Sequence, residues 1–174
     1  MRCHRAGRRL WLIAAAVLLV GCSSPVREDR ATSGTPTRVV LEGPTTTPIQ
    51  TINNLTLVYT TINEIQGALM VVDTGAQRTL VTPALLRRMK LPVSADAPRR
   101  TLYGVGGHAI EVSLVRIASV RTGAAVVENL EVGVVDFLPR APFIDGLLGG
   151  DYLGRFRTTL DSQARVLRLE PLVQ

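Results

Sequence analysis

Cysteine and histidine are nearly absent from this 174-residue chain, which contains two of each. Cys3, His4 and Cys22 all lie close to the N-terminus, so no cysteine follows Cys22 and His108 is the last histidine. The rest of the chain therefore has no disulfide, no cysteine nucleophile and no metal site built from several histidines. A histidine-based catalytic triad would depend on His108 alone.

Aromatic residues are also scarce, and little net charge remains once the N-terminus is set aside. Aromatics make up 4% of the chain, which leaves little for stacking on nucleic-acid bases. The formal net charge is +6, and residues 1–21 hold four arginines and no acid, so removing these four charges leaves +2. A charge this small is a weak attractor for anionic partners. We therefore expect no nucleic-acid partner.

The N-terminus has the pattern of an export signal. Four arginines precede an apolar run over residues 10–20, which is too short for the roughly 20 residues of a membrane-spanning helix. A basic start followed by a short apolar core is typical of a signal peptide. An ordinary signal peptide cut nearby and a true transmembrane anchor are the alternatives to the lipoprotein interpretation given next.

The end of the apolar run, Leu-Val-Gly-Cys at residues 19–22, resembles the lipobox of bacterial lipoproteins. In those proteins the signal is cut before the cysteine, which then carries lipid. The resemblance implies a signal peptide at residues 1–21, lipidation of Cys22 and attachment to a membrane of the bacterial cell envelope. Ser23 resembles an outer-membrane sorting position, which would face the periplasm if the cell has two membranes.

Composition separates a linker from a folded domain. Residues 22–48 are rich in Ser, Thr, Pro and Gly, which predicts a flexible tether after the lipidated cysteine. From residue 49 to residue 174 the pattern predicts one domain of many short strands and two short helices. The expected fold is mainly β, a small closed or folded sheet.

Several elements can be placed within this domain. The pattern predicts strands at residues 55–62, 68–72 and 79–82, with Gly67 closing the first turn, and a helix at 83–92 capped by Thr82. A hairpin with a glycine-rich tip follows at 100–120. Residues 125–136 form a strand pair or one long bent strand. A turn and short helix at 143–156 and a hairpin at 157–171 complete the chain.

The segment Ala-Leu-Met-Val-Val-Asp-Thr-Gly-Ala at residues 68–76 resembles the active-site segment of retropepsin-like aspartic proteases. The glycine-rich hairpin lies where that family has its flap, and the apolar segment leading into a glycine-containing helix and a closing hairpin follow in the family's order. The resemblance covers about residues 52–170 and is closest to the single-domain bacterial members that are exported or membrane-attached.

The resemblance implies an aspartic endopeptidase without cofactor or metal. Asp73 would be the catalytic carboxylate, supported by a Thr74 hydroxyl that bonds to the partner loop, by Gly75, which provides space and unusual dihedral angles, and by the small Ala76. The resemblance also implies a flap that covers a peptide or protein substrate. The flap residues would be Tyr103, Gly104, Val105, Gly106 and Gly107.

One Asp-Thr-Gly per chain supplies one catalytic carboxylate, so the active enzyme should be a homodimer with two copies of Asp73 at a two-fold axis. Asp145 and Asp161 are expected to be turn residues, with Asp151 near a helix start. The acid and base that pair at the retroviral interface are replaced here, and Arg78 is expected to pair with Asp151 instead. The alternative function is a non-catalytic lipoprotein of this fold that binds peptides or envelope components.

Overall fold

The computed structural model describes residues 37–104, 107–136 and 141–172. This part of the chain contains eleven strands and two short helices. The strands are β1 (Arg38–Val40), β2 (Thr45–Ile52), β3 (Leu55–Ile62), β4 (Ile65–Val72), β5 (Leu80–Val81), β6 (Arg99–Tyr103), β7 (Ala109–Thr122), β8 (Ala125–Val134), β9 (Gly146–Leu148), β10 (Phe156–Asp161) and β11 (Val166–Pro171). The helices are α1 (Pro83–Arg88) and α2 (Gly150–Leu153).

Six of the strands close into a barrel in the order β3–β4–β9–β5–β8–β7, because β7 pairs back onto β3. The remaining strands extend this ring. β6 pairs with the first part of β7, and an arm of β2, β11 and β10 continues outward from β3. The predicted fold class, a mainly β domain with a closed sheet and two short helices, is confirmed.

The second half of strand β4, residues 68–71, is buried on both faces, which explains its uninterrupted apolar sequence. Met70 belongs to the main core, which also contains Ile117, Leu148 and Tyr152. Its neighbours Leu69 and Val71 point to the opposite face and join a second apolar cluster. The cluster consists of Leu57, Leu69, Val71, Leu80, Ile144 and Leu147. The strand that precedes the Asp-Thr-Gly segment is therefore held between two packed layers.

Two predicted features differ in the structure: the helix predicted over residues 83–92 ends at Arg88, and the turn before β4 is not made by Gly67. Asn63 adopts a left-handed φ of 51° in the turn between β3 and β4, so asparagine, and not Gly67, makes this turn. Gly67 lies inside β4 with a φ of 72°. Helix α1 begins as predicted, with the Thr82 hydroxyl accepting a hydrogen bond from the Leu85 amide at 3.2 Å.

The folded sheet begins earlier than the composition suggests. β1 pairs with β8, and β2 pairs with β11 from Thr45 onward. Residues 38–40 and 45–48 are therefore part of the sheet, whereas the sequence placed them in a flexible tether ending at residue 48. Threonines, which suit a pleated half-buried strand, make up three of the four residues at 45–48, and a compositional argument counts them as linker residues. The predictions for residues 1–36 lie outside the described residues.

Over the residues described, no helix is long and apolar enough to cross a membrane.

Candidate active site

The Asp-Thr-Gly segment lies where the chain leaves β4 and returns as β5. β9 lies between these two strands, parallel to β4 and antiparallel to β5. The Asp73 amide continues the ladder by donating to the Leu148 carbonyl at 3.1 Å. Asp73 is thus the first residue beyond a buried strand, and the loop that follows passes over the end of β9.

The Asp73 carboxylate is held by backbone amides of its own loop. Its Oδ1 accepts hydrogen bonds from the Gly75 amide at 2.9 Å and the Ala76 amide at 3.2 Å. Hydrogen bonds to a charged carboxylate are stronger than those between neutral groups, so these two donors fix the orientation of the side chain. The side chain itself is half-buried and therefore remains open to a reactant.

Gly75 leaves space beside the carboxylate. A Cβ at this position would stand 3.3 Å from Asp73 Oδ1, which is closer than most Cβ contacts. The φ of Gly75 is outside the left-handed region, so the unusual dihedral angles expected of it are absent. Thr74 is exposed, and its hydroxyl forms no hydrogen bond with another described residue of this single chain.

Helix α2 holds the same loop from the other side. The Gly150 amide donates to the Ala76 carbonyl at 2.7 Å, and the Asp151 amide donates to the Gln77 carbonyl at 3.1 Å. Gly149 allows this approach, because a Cβ there would overlap the backbone of Arg78 and stand 2.6 Å from its carbonyl oxygen. The loop from Asp73 to Arg78 is therefore attached to the end of β9 and the start of α2.

A side-chain hydrogen bond network strengthens this attachment. Asp151 Oδ1 accepts hydrogen bonds from the Thr79 amide at 2.8 Å and the Thr79 hydroxyl at 2.6 Å. The Thr79 hydroxyl oxygen in turn accepts one from the Gly149 amide at 3.1 Å. Asp151 Oδ2 is buried and has no hydrogen-bond partner among the described residues. Burial raises the pKa of Asp151, and the Thr79 hydrogen bonds and the positive charge of Arg78 oppose that rise.

Arg78 pairs with Glu131 and not with Asp151 as the sequence suggested. Its Nη1 donates to the Glu131 carbonyl at 3.0 Å and to Glu131 Oε1 at 3.2 Å. The expectation was wrong because the Asp151 side chain points to Thr79, while Arg78 reaches across to β8. Asp151 does lie in the first turn of α2.

Asp145 is not the turn residue that its neighbours Ile144 and Gly146 suggested. Its side chain is 8% exposed and forms an ion pair with Arg88 of α1, with Nη1 to Oδ1 at 2.6 Å. Oδ2 accepts a further hydrogen bond from the Leu69 amide at 3.0 Å. Asp145 therefore joins α1 to β4. Asp161 was expected to be a turn residue; it is the last residue of β10, and its Oδ1 supports the turn that follows by accepting from the Ala164 amide at 2.7 Å.

The predicted flap is a hairpin of β6 and β7. Its strands pair up to Tyr103 and Ala109, and the Gly104 amide donates to the His108 carbonyl at 2.9 Å. Gly107 has a φ of 79°, which suits glycine at a tight tip. Tyr103 is 77% exposed. Val105 and Gly106, two of the predicted flap residues, lie outside the described residues.

The flap hairpin and the Asp73 loop meet the same apolar surface. Leu102 of β6 and Ala76 of the loop both pack against the second apolar cluster. The structure thus brings two predicted parts of the site, the loop and the hairpin, onto a common support. Cys22, the predicted lipidation site, is outside the described residues.

Within the described residues, no acidic side chain forms a hydrogen bond with the Asp73 carboxylate, so one chain presents one such carboxylate. No group of three or more His, Cys, Asp or Glu side chains in these ranges could hold a metal ion. What the arrangement offers is a single carboxylate, oriented by two amides and open on one side.

Sequence reasoning missed Thr79 as a support of the site. It treated Thr79 as the start of a short strand and Asp151 as a helix-start residue, although the two are joined by two hydrogen bonds. A signal was present, because Thr79 is a polar residue at the start of a predicted apolar strand and so requires a partner once buried. The partner is 72 residues away, and sequence spacing does not identify it.

Comparisons with known proteins agree with this geometry. The family model described as aspartyl protease matches residues 58–152, which include the Asp73 loop, the flap hairpin and the start of α2. The crystal structure of a retropepsin-like aspartic protease from Rickettsia conorii is similar, with a TM-score of 0.56 and 19% sequence identity over 78% of this chain and 94% of that one. No curated protein matches the chain significantly.

Proposed function

Since the chain belongs to the aspartyl protease family and has the retropepsin-like fold, we propose that it is an endopeptidase whose active form is a homodimer. Each subunit contributes its Asp73 to one catalytic pair. The observation that carries this proposal is the Asp73 carboxylate itself, oriented by the Gly75 and Ala76 amides and open on one side.

The aspartic-protease mechanism of peptide hydrolysis uses two carboxylates that share one proton. Two carboxylates about a hydrogen bond apart do not both ionise, so one acts as a base and the other as an acid. The ionised member takes a proton from a water molecule whose oxygen attacks the scissile carbonyl carbon, while the protonated member donates to the carbonyl oxygen. A proton then passes to the amide nitrogen, and the carbon–nitrogen bond breaks.

A two-fold axis supplies the second carboxylate, because the same residue of an identical chain meets its own copy there. Thr74 is exposed in the single chain and would find its hydroxyl partner in the facing loop. The β6–β7 hairpin would cover an extended peptide and hydrogen-bond to its backbone. No metal or cofactor takes part in this chemistry.

The proposed location is the bacterial cell envelope, with the protein anchored by lipid on Cys22. This rests on the sequence pattern of residues 1–22. Anchoring in one membrane would raise the effective concentration of the subunits and favour the dimer. Cys22→Ala should release the protein from sedimented membranes, and retention of the variant in that fraction would contradict the lipid anchor.

Asp73→Asn tests the activity with little change of shape. The native chain should cleave a mixed peptide library between about pH 4 and 7, where such a pair holds one proton. The variant should lose about a thousandfold or more of the activity. Asp96→Asn, in an exposed turn, is the matched control and should behave as native. No cleavage by the native dimer would refute the enzyme and leave the alternative, a peptide-binding lipoprotein of this fold.

Mixing the native chain with Asp73→Asn tests whether both subunits contribute. If subunits exchange freely and only dimers with two native copies are active, an equal mixture retains about a quarter of the native activity. An enzyme that works as a monomer would retain about half. The second outcome would contradict the shared pair while leaving proteolysis itself in place.

A further inference from the structure

A cavity lies where strand β2 leaves its pairing with β11. β2 pairs with β11 over residues 45–48 and with β3 over residues 49–52. Among the described residues, no strand continues along the β11 side of β2 beyond residue 49, and a cavity of about 480 Å³ lies there, beside the turn between β10 and β11. We call it the β2 edge cavity. Six residues line it: Ile49, Gln50, Thr51, Ile52, Ser162 and Arg165.

The edge of β2 directs a backbone donor toward this cavity. The Ile49 amide donates to the Arg165 carbonyl at 3.0 Å, so it points to the β11 side of the strand. Amide groups alternate between the two edges of a strand, so the Thr51 amide points to the same side, where no strand pairs with it. The side chains of Gln50 and Ser162 are exposed and form no hydrogen bond with another described residue. The cavity thus contains donors that the described parts of the chain leave unused.

Arg165 brings a positive charge to the cavity in a conformation that arginine rarely adopts. Its φ is 56°, in the left-handed region where glycine and asparagine are favoured. The turn between β10 and β11 accounts for this conformation but not for an arginine, because glycine fits such a turn without strain. The Arg165 side chain is exposed and has no ion pair with another described residue. An unpaired arginine at a strained position indicates a use for its charge beyond the turn itself.

The charges around the β2 edge cavity favour an anion. None of its six lining residues is acidic. Asp161 precedes the same turn, but its Oδ1 is engaged by the Ala164 amide at 2.7 Å. Arg168, a second cation on β11, is paired with Glu170 at 3.0 Å. The charge of Arg165 is therefore left to attract a negative group from outside the chain.

We propose that the β2 edge cavity binds a phosphate monoester group. The planar guanidinium of Arg165 donates to two phosphate oxygens, the geometry in which arginine recognises phosphate. The Ser162 hydroxyl, the Gln50 carboxamide and the Thr51 amide serve the remaining oxygens. This number of donors suits a phosphate group better than a carboxylate, which has only two oxygens. The site shares no residue with the Asp73 loop or the flap hairpin, so it does not rest on the proposed function.

Titration of the full chain with inorganic phosphate tests the site. Phosphate should bind, measured by calorimetry, and should raise the midpoint of thermal unfolding, because it binds the folded state. Acetate at the same ionic strength should have a smaller effect. Arg165→Gly should weaken phosphate binding about tenfold or more, since it removes charged hydrogen bonds. Its unfolding midpoint without phosphate should not fall, because glycine adopts the φ of this turn freely, and misfolding therefore cannot explain the lost affinity.

Lys90→Gly is the matched control. Lys90 is also an exposed cation in the left-handed region, with a φ of 53°, but it follows α1 and does not line the cavity. The variant removes one positive charge and one strained residue, as Arg165→Gly does, and should bind phosphate as the native chain does. Equal weakening by both variants would reduce the effect to net charge and overturn the site. Native affinity in Arg165→Gly would overturn it as well.

Two esters with the same headgroup distinguish the source of the phosphate. Glycerol phosphate is soluble, and dihexanoyl phosphatidic acid adds two short acyl chains that the apolar side chains of Ile49 and Ile52 could contact. Equal affinities that both depend on Arg165 would support a soluble phosphate ester. Tighter binding of the lipid, again dependent on Arg165, would support a lipid headgroup. Failure of both esters to bind would overturn the proposal.

The catalytic variant separates this inference from the proposed function. Asp73→Asn should lose peptide cleavage and still bind phosphate with native affinity. A native chain that binds phosphate through Arg165 but cleaves no peptide would refute the protease and leave the phosphate site standing. A native chain that cleaves peptides but binds phosphate no better than Arg165→Gly would refute the site and leave the protease standing.

Discussion

Replacing Arg88 by methionine should destabilise the domain, because the buried carboxylate of Asp145 would lose its charged partner. Arg88 Nη1 is 2.6 Å from Asp145 Oδ1, and the Asp145 side chain is 8% exposed. The variant keeps an unbranched apolar side chain in place of the apolar part of arginine and removes the charge and its donors. Asp145 would then retain a single described donor, the Leu69 amide at 3.0 Å.

The size of the expected decrease in the free energy of unfolding follows from the burial of Arg88 and Asp145. Removing one member of a buried pair typically costs about 3–5 kcal/mol, because the remaining charge is left without compensation. The Arg88 side chain is 47% exposed, so water reaches this side of the pair and reduces the loss. We expect a decrease of roughly 2–3 kcal/mol in the free energy of unfolding.

Urea unfolding measures this loss, and a double-mutant cycle isolates the pair. Arg88→Met and Asp145→Asn together should show a coupling energy of about 2 kcal/mol. The chain offers a control in Arg99 and Glu111, which are 3.0 Å apart but 61% and 59% exposed. The same cycle there should give less than about 1 kcal/mol. Equal coupling energies for the two pairs would refute the argument, since burial is the main difference between them.

Three further substitutions probe the loop and its supports. Gly149→Ala should lower both stability and peptide cleavage, because its Cβ would overlap the backbone of Arg78; unchanged values for both would contradict the close approach. Because burial raises the pKa of Asp151, the folded state binds this proton more tightly than the unfolded chain, and that stability is lost as the pH rises through the folded pKa. Between acidic and neutral pH, the free energy of unfolding should therefore fall less in Asp151→Asn than in the native chain, as measured by urea unfolding. An equal fall in both would assign it to other groups. Tyr152→Phe should cost about 1–2 kcal/mol, measured by thermal unfolding, because the Tyr152 hydroxyl donates to the buried Ala125 carbonyl at 3.1 Å; a neutral effect would mean that this carbonyl is otherwise satisfied.

Local signals in the sequence were sufficient for most of the fold. Three elements depend on residues close together in the chain: the Thr82–Pro83 start of α1, the paired strands β6 and β7, and the terminal hairpin. Each was found where the pattern placed it. The start of the sheet at Arg38 was missed, because β1 and β2 are stabilised by pairing with β8 and β11, which lie far along the chain.

The candidate site also has one part that nearby residues predict and another part that depends on residues distant in the chain. Asp73 and the residues that follow it form one continuous segment, so their position at the end of a buried strand could be predicted. The supports of the segment are distant in the chain. Thr79 donates hydrogen bonds to Asp151, and Arg78 donates to Glu131. The Asp73 amide donates to the Leu148 carbonyl. Charge suggested a pairing of Arg78 with Asp151, but the direction of each side chain decided otherwise, and only the three-dimensional structure fixes that direction.

The position of β9 between β4 and β5 determines when a site can first exist during synthesis. The Asp73 loop is complete after about residue 79, but its backbone partners at Leu148 and Gly150 emerge some seventy residues later. Contacts between residues that are distant in the chain form slowly. A nascent or truncated chain that ends before β9 therefore carries the Asp-Thr-Gly segment as an unsupported loop. The Asp73 carboxylate can therefore be held in place only after nearly the whole domain has been synthesised.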